Sequence, residues 1–326
     1  MQGKDASEQE TKVKSSVGID VSKHWLDVHV LPCEERLRVS NTVEGIRKLK
    51  RWLKRFELTC ILVEATGKWH RAVQRSLFAA GLPITAVDPF RVRMFAKAQG
   101  LFAKTDRLDA RVLAQFAAIM DPTIRPPAPE AIEALQELVR ARDSTVAEET
   151  ALKNQLAAAR DRFLVRQLKR RLERIGKDIA ALERETLKRI KADAGLARRH
   201  AILTSMPGVG DVVAVSLIAC LSELGALSAK QIALLAGLAP IADDSGERQG
   251  VRVIWGGRSA VRRVLYLAAL SAARHSTDLK VFYRRLIGNG KTPKRALIAV
   301  ARKIVVLANT LIAQDRTWQP QPPQHA

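Results

Sequence analysis

The first third of the chain is a series of short apolar runs separated by polar turns, and the order of those runs restricts the fold more than any other feature. Three strand-like runs come first, at Ser16–Val21, Leu26–Pro32 and Arg36–Asn41. In the second, Val28 and Val30 alternate with His29, the two-residue period of a strand. Val43–Phe56 follows as a basic amphipathic helix with Ile46, Leu49 and Leu53 on one face. Thr59–Glu64 is a short apolar run suited to a buried strand. Trp69–Ala80 reads as a helix stopped by Gly81, and Leu82–Val87 as another buried strand. Pro89–Ala98 and Asp106–Met120 read as helices, the second with Leu108, Val112, Leu113 and Phe116 apolar.

The resulting order, β-β-β-α-β-α-β-α, is that of the ribonuclease-H-like fold. Asp121–Pro129 carries four prolines and reads as a linker. From Glu130 to about Ala194 there is no proline and one glycine, Gly176. Leu168, Leu172, Ile175, Ile179 and Leu182 repeat at a 4-3-4-3 spacing, a coiled-coil seam. Leu135, Leu138, Thr145, Leu152 and Leu156 form a poorer one. Two antiparallel helices turning near residues 160–166 is the simpler reading, and one long helix is the alternative. From Arg199 to Trp318 the chain reads as globular and mainly helical, closing on an apolar helix at Lys294–Ile312.

Charge narrows the partners. Lys and Arg number 55 against 33 Asp and Glu, a net charge of +22, which attracts polyanions through counterion release. A hydrophobic content of 47% is enough for real cores. Cys33, Cys60 and Cys220 form no CxxC pair, so neither a disulfide framework nor a zinc knuckle is expected, and the compartment is expected to be reducing. The polar N-terminus lacks the apolar core of a signal peptide, and no run of 18 apolar residues is present, so no membrane helix is expected.

Against that background four carboxylates stand out: Asp20, Glu64, Asp106 and Asp109, each at the edge of an apolar segment. Asp20 ends or interrupts the first strand-like run and Glu64 ends the fourth, and both are able to emerge at one sheet end if those strands are adjacent. Asp106 and Asp109 share one helix face. Converging carboxylates repel unless a cation sits among them, and oxygen ligands alone select Mg²⁺ or Mn²⁺. Taken singly, Asp106 would equally serve as a helix N-cap and Asp109 as a first-turn charge. Lys104 and Arg111 flank this pair as candidate phosphate contacts. A second constellation, Ser205-Met-Pro-Gly-Val-Gly-Asp211, offers Gly208 and Gly210 at a helix N-terminus, a helix-hairpin-helix type of phosphate loop or a plain tight turn. A third places Ser245 in a polar Asp-Ser-Gly turn among Arg248, Arg252, Arg258, Arg262 and Arg263. A serine hydroxyl in an arginine-rich pocket is able to attack a phosphodiester, but Asp-Ser-Gly is commonly only a turn, and Ser259 is equally close to arginines.

Gly18-Ile-Asp20, Val63-Glu-Ala-Thr-Gly67, Lys104-Thr-Asp-Arg-Leu-Asp-Ala110, Met206-Pro-Gly-Val-Gly210, Ala236-Gly-Leu-Ala-Pro240, Asp244-Ser-Gly246 and Arg262-Arg-Val-Leu-Tyr266 together resemble the DEDD transposases of the insertion-sequence-110 family, related to pilin-gene invertases. The resemblance spans about residues 16 to 315. It implies a flexible tail over 1–15, a RuvC-like domain over 16–122 and a linker with a coiled-coil hairpin over 123–197. A mainly helical transposase domain over 198–318 and a tail over 319–326 complete the expected organisation. It implies that Asp20, Glu64, Asp106 and Asp109 form the metal-binding tetrad and that Ser245 links covalently to DNA. It further implies a noncoding bridge RNA that pairs with target and donor DNA, an assembly of two dimers, and work on the nucleoid in the bacterial cytoplasm. The absence of an evident base-reading helix-turn-helix suits a protein whose sequence choice is carried by RNA. The competing expectation is a metal-dependent Holliday-junction resolvase or nuclease in which Ser245 is idle.

Overall fold

The structure, a computed structural model, describes residues 14–65, 67–101, 106–242, 244, 250 and 252–319; for residues 106–108 it describes the backbone alone. The chain divides into two compact units, residues 1–128 and 129–326. The expected N-terminal tail up to residue 13, and the C-terminal one from residue 320, lie outside the described residues.

The first unit holds strands β1 (Lys14–Val21), β2 (Trp25–Leu31), β3 (Arg36–Ser40), β4 (Glu57–Glu64) and β5 (Ile84–Val87), with helices α1 (Val43–Leu53), α2 (His70–Phe78), α3 (Pro89–Ala98) and α4 (Asp106–Met120). The observed order is β-β-β-α-β-α-β-α-α, the expected β-β-β-α-β-α-β-α with both closing helices, α3 and α4, counted. The sheet order is β3-β2-β1-β4-β5. Short turns join β1, β2 and β3, which therefore pair antiparallel. α1 and α2 carry the chain across the sheet, so β4 pairs parallel with β1 and β5 with β4. β1 begins at Lys14, ahead of the apolar run, because its first residues pair with Glu57 and Leu58 across a register shift at Ser15/Ser16.

Both faces of the sheet are covered. Val17, Ile19, Ile61 and Val63 pack on one face with Ile46, Leu49, Val73 and Leu77 of α1 and α2. Cys60 and Leu62 pack on the other with Val92 of α3 and Val112, Leu113 and Phe116 of α4. Each fully buried aliphatic side chain contributes about 1.5–3 kcal/mol. Gly18 sets how close α4 comes to β1: a Cβ built there would lie 2.0 Å from the carbonyl oxygen of Ala110 and 2.4 Å from the amide nitrogen of Ala114. The proline-rich segment 121–129 has no helix or strand; Ile124 packs against the α4 face, and the Arg125 amide donates to Thr85 Oγ1 at 3.3 Å.

The second unit begins with α5 (Glu130–Ala158) and α6 (Arg162–Ala192). The pair is a hairpin, not one long helix. It turns at residues 159–161 because Asp161 caps α6, accepting from the amides of Phe163 and Leu164, so the turn falls at the start of the expected 160–166 window. Arg142 meets Glu183 at 2.8 Å and Arg171 meets Glu148 at 3.8 Å, an antiparallel register. Leu152, Leu168 and Ile175 form the seam, with Leu156, Leu172 and Ile179 at its margin. The helices α7 (Ala194–Thr204), α8 (Asp211–Cys220), α9 (Ala229–Leu235), α10 (Ser259–His275), α11 (Thr277–Gly288) and α12 (Pro293–Ala313) form the rest, with a small hairpin of β6 (Pro240–Ile241) and β7 (Val253–Ile254). α8 is apolar all round, and Val213–Ala219 are all buried.

The expectation that no segment suits a membrane meets one exception. Among the described residues α12 is long and apolar enough by length and composition to cross one, but half of that window is buried within the fold, and Val300, Ala301, Ile304, Val305 and Ala308 are fully covered.

Candidate active site

Strand register places the carboxylates. Ile19 pairs with Val63 and Asp20 with Asp27, so Asp20 and Glu64 stand side by side where the parallel strands β1 and β4 end. Two residues earlier, Gly18 lies under α4 and Leu62 packs against Leu113 and Phe116. The two-residue period of a strand then turns Asp20 and Glu64 to the same α4 face. Asp109 immediately precedes Ala110, the residue seated over Gly18. Glu64 and Asp109 both line a cleft of about 560 Å³ with Phe90, Arg93, Lys97 and Leu101. Asp20 is not among the lining residues. Asp106 is the first residue of α4, and its side chain, like Lys104 as a whole, lies outside the described residues. Among the described residues no three His, Cys, Asp or Glu side chains converge as a ready metal site.

Arg93 and Lys97 were not among the expected site residues. They stand at i and i+4 on α3, a spacing that was visible and places two cations on one face beside the carboxylates. The anchoring of Arg111 was not expected either. Arg111 bonds Glu34 at 2.9 Å, and the other carboxylate oxygen of Glu34 lies 2.9 Å from His29 Nε2. His29 is buried in β2, and that burial lowers its pKa, only partly offset by the nearby Glu34. The three side chains fasten α4, one turn after Asp106, to the β2–β3 turn.

In the second unit the Pro-Gly-Val-Gly segment joins α7 to α8. Gly208 has φ +82°, and a Cβ there would lie 2.6 Å from the Ala268 carbonyl oxygen, so this glycine packs against α10. Gly210 is the N-cap of α8 and has open space around it. Of the two, Gly210 is the one placed to let a phosphate approach.

Ser245 and Arg248 lie outside the described residues, within the segment that joins β6 to β7. On either side of them, Asp244 accepts from the Gly250 amide at 3.0 Å and from Arg252 at 2.9 Å. At the base of the hairpin Arg262 donates to the carbonyl oxygens of Gly237 at 3.3 Å and Gly256 at 2.7 Å. Arg263 pairs with Asp143 of α5. Arg258 makes two 2.6 Å bonds to Glu223 and one of 2.9 Å to the Cys220 carbonyl oxygen. Arg262 thus ties the base of the hairpin to α10, while Arg258 and Arg263 tie the start of α10 to the segment after α8 and to α5.

Burial works to raise the Glu223 pKa, but the Arg258 hydrogen bonds and charge outweigh it and hold the carboxyl below its ordinary value. A depressed carboxylate contributes stability above its unfolded-state pKa, near 4.3, and that contribution is lost as pH falls through the lower folded-state value. Arg258→Ala should cost about 1–2 kcal/mol, because both partners are partly exposed, and should flatten the acid limb of the stability curve. Urea melts of both proteins from pH 7 to pH 3 check this; identical acid limbs would refute it.

Comparisons with known proteins agree on the class. A family model described as a transposase of the DEDD, IS110 type matches residues 17–164, and one described as a transposase of the IS116/IS110/IS902 family matches residues 200–284. The chain is 25% identical over 323 residues to the pilin gene-inverting protein of Moraxella bovis, covering 94% of this chain and 98% of that one. It is 24% identical over 299 residues to the transposase for insertion sequence element IS1111A of Coxiella burnetii, covering 80% and 79% of the two. A 44.8 kDa protein of insertion element IS116 from Streptomyces clavuligerus is 31% identical over 127 residues, or 38% of this chain and 32% of that one. The class is thus a transposase, an enzyme that cuts and rejoins DNA. The chain belongs to the IS110 family.

Proposed function

We propose that the chain moves an insertion sequence by cutting and rejoining target and donor DNA through a covalent serine ester, under the guidance of a bridge RNA. The first unit acts as the RuvC-like DEDD domain, α5 and α6 as a coiled-coil arm, and the remaining helices as the transposase domain. The observation that carries the reading is the meeting of Glu64 and Asp109 in one cleft, with Asp20 beside Glu64 on the same sheet face. This oxygen-only donor set fits a hard divalent cation. Asp20, Glu64, Asp109 and Asp106 would hold Mg²⁺ or Mn²⁺, which supplies charge stabilisation to a phosphodiester under attack. Arg93 and Lys97 orient the strand at the mouth of the cleft.

Ser245 Oγ attacks phosphorus as its proton is lost, and the P–O bond to one sugar breaks with that oxygen taking up a proton. The phosphoserine ester preserves a phosphodiester linkage. The hydroxyl of a second strand then attacks the same phosphorus, restores a DNA phosphodiester and frees the serine without ATP. The assembly is a dimer of dimers joined through the α5–α6 arm.

RNA guidance has a direct test. The purified protein should retain a specific RNA, and binding should weaken steeply with salt, because Lys and Arg contacts to phosphate dominate it. Nuclease treatment should abolish recombination, and adding back the RNA should restore it. Full recombination by RNA-free protein would overturn the guide, leaving the cutting chemistry to be judged on its own.

A further inference from the structure

The row of residues that contains Glu64 and Asp20 does not stop at them. Asp20 pairs with Asp27 of β2, and Asp27 with Arg38 of β3. All lie on the α4 face, where alternation also places Arg36 and Trp25. Arg38 binds Asp27 through Nε at 3.1 Å and stacks its guanidinium over the Trp25 ring, 5.4 Å from the centroid. Trp25 is nevertheless 47% exposed and the Arg38 side chain 53%. With strands about 4.8 Å apart, Arg38 stands about 10 Å from Asp20 along the row.

Resting on the reading of the acidic edge as the cutting site, we propose that Trp25 and Arg38 form a subsite for a single strand of DNA one or two nucleotides from the phosphate being cut. A guanidinium is matched to phosphate, and Asp27 and the tryptophan ring fix its direction. An indole ring that stays 47% exposed with Arg38 over it, on a strongly basic protein, suits an unpaired base, whose stacking is indifferent to sequence. A paired duplex offers no base face to it, so the subsite selects a strand already opened by pairing elsewhere. Arg36, two residues from Arg38 on the same face, continues the phosphate track away from the acidic edge.

The test uses the full-length protein in chelator, which stops cutting, with two fluorescent DNA probes: a duplex with a short unpaired bubble and the same duplex fully paired. Trp25→Ala should weaken the bubble complex about tenfold, with the paired complex unchanged, and Trp25→Phe should restore most of the loss. Arg38→Gln should weaken the bubble complex and lower its salt slope by about one phosphate, with Arg38→Lys recovering part. A 5-iododeoxyuridine in the bubble should crosslink to Trp25 on irradiation. Equal affinity of wild type and Trp25→Ala for the bubble, or an equal loss on both probes, would overturn the subsite. A larger loss on single-stranded RNA than on the bubble would overturn its assignment to DNA. The cutting-site reading is judged separately, by loss of cleavage in Asp20→Asn with bubble binding retained. A subsite that fails in a protein whose cleavage still needs Asp20 is therefore recognisable as that failure alone.

Discussion

Asp109→Asn and Glu64→Gln should each lower recombination by about 10²–10³-fold while leaving thermal stability near that of the wild type. Each change keeps the shape of the side chain and removes one negative charge from the cleft that both residues line. If the cluster holds a divalent cation, the lost ligand charge also raises the metal concentration needed for whatever activity remains. A merely structural carboxylate would show the opposite pattern, with stability falling and metal dependence unmoved. Recombination measured against Mg²⁺ and Mn²⁺ concentration for each variant, beside its melting curve, distinguishes the two.

Gly18→Ala should be as damaging without touching a carboxylate. Its methyl group would meet the α4 backbone at 2.0 and 2.4 Å, so the helix must move away from β1. Overpacking of this kind costs about 1–3 kcal/mol and should lower the melting point of the first unit by roughly 10 °C. The same shift carries Asp109 away from Asp20, so activity should fall even at temperatures where the variant is fully folded. Gly176→Ala is the control: it lies within α6 with open space around it and should stabilise that helix by about 1 kcal/mol. If Gly18→Ala melts and recombines like the wild type, α4 is not held where described.

What the sequence made legible was local. The alternation at Val28–Val30, the apolar run ending in Glu64 and the 4-3-4-3 seam of α6 each announce their element within a few residues. The strand ends carrying Asp20 and Glu64 followed from the order of those elements. What it hid depends on partners far apart in the chain. Asp27 and Arg38 join the acidic row only through strand register. Arg111 meets Glu34 across 77 residues, and Arg258 meets Glu223 across 35, so neither arginine's anchoring is visible from its neighbours. Gly208 read as an opening for phosphate, yet the direction of its missing Cβ leads into α10. The exact turn of the α5–α6 hairpin depended on one cap, Asp161, among several polar residues.

Trapping the broken strand shows whether the acidic edge and Ser245 together break and rejoin DNA. Wild-type protein with its RNA, labelled DNA and Mg²⁺ is denatured, and the DNA-linked species is digested and mapped. The expected linkage is on Ser245, survives denaturation, is absent in chelator, and is lost in both Ser245→Ala and Asp20→Asn. A linkage on Ser259, Tyr266 or Tyr283, or one formed undiminished by Asp20→Asn, would contradict it.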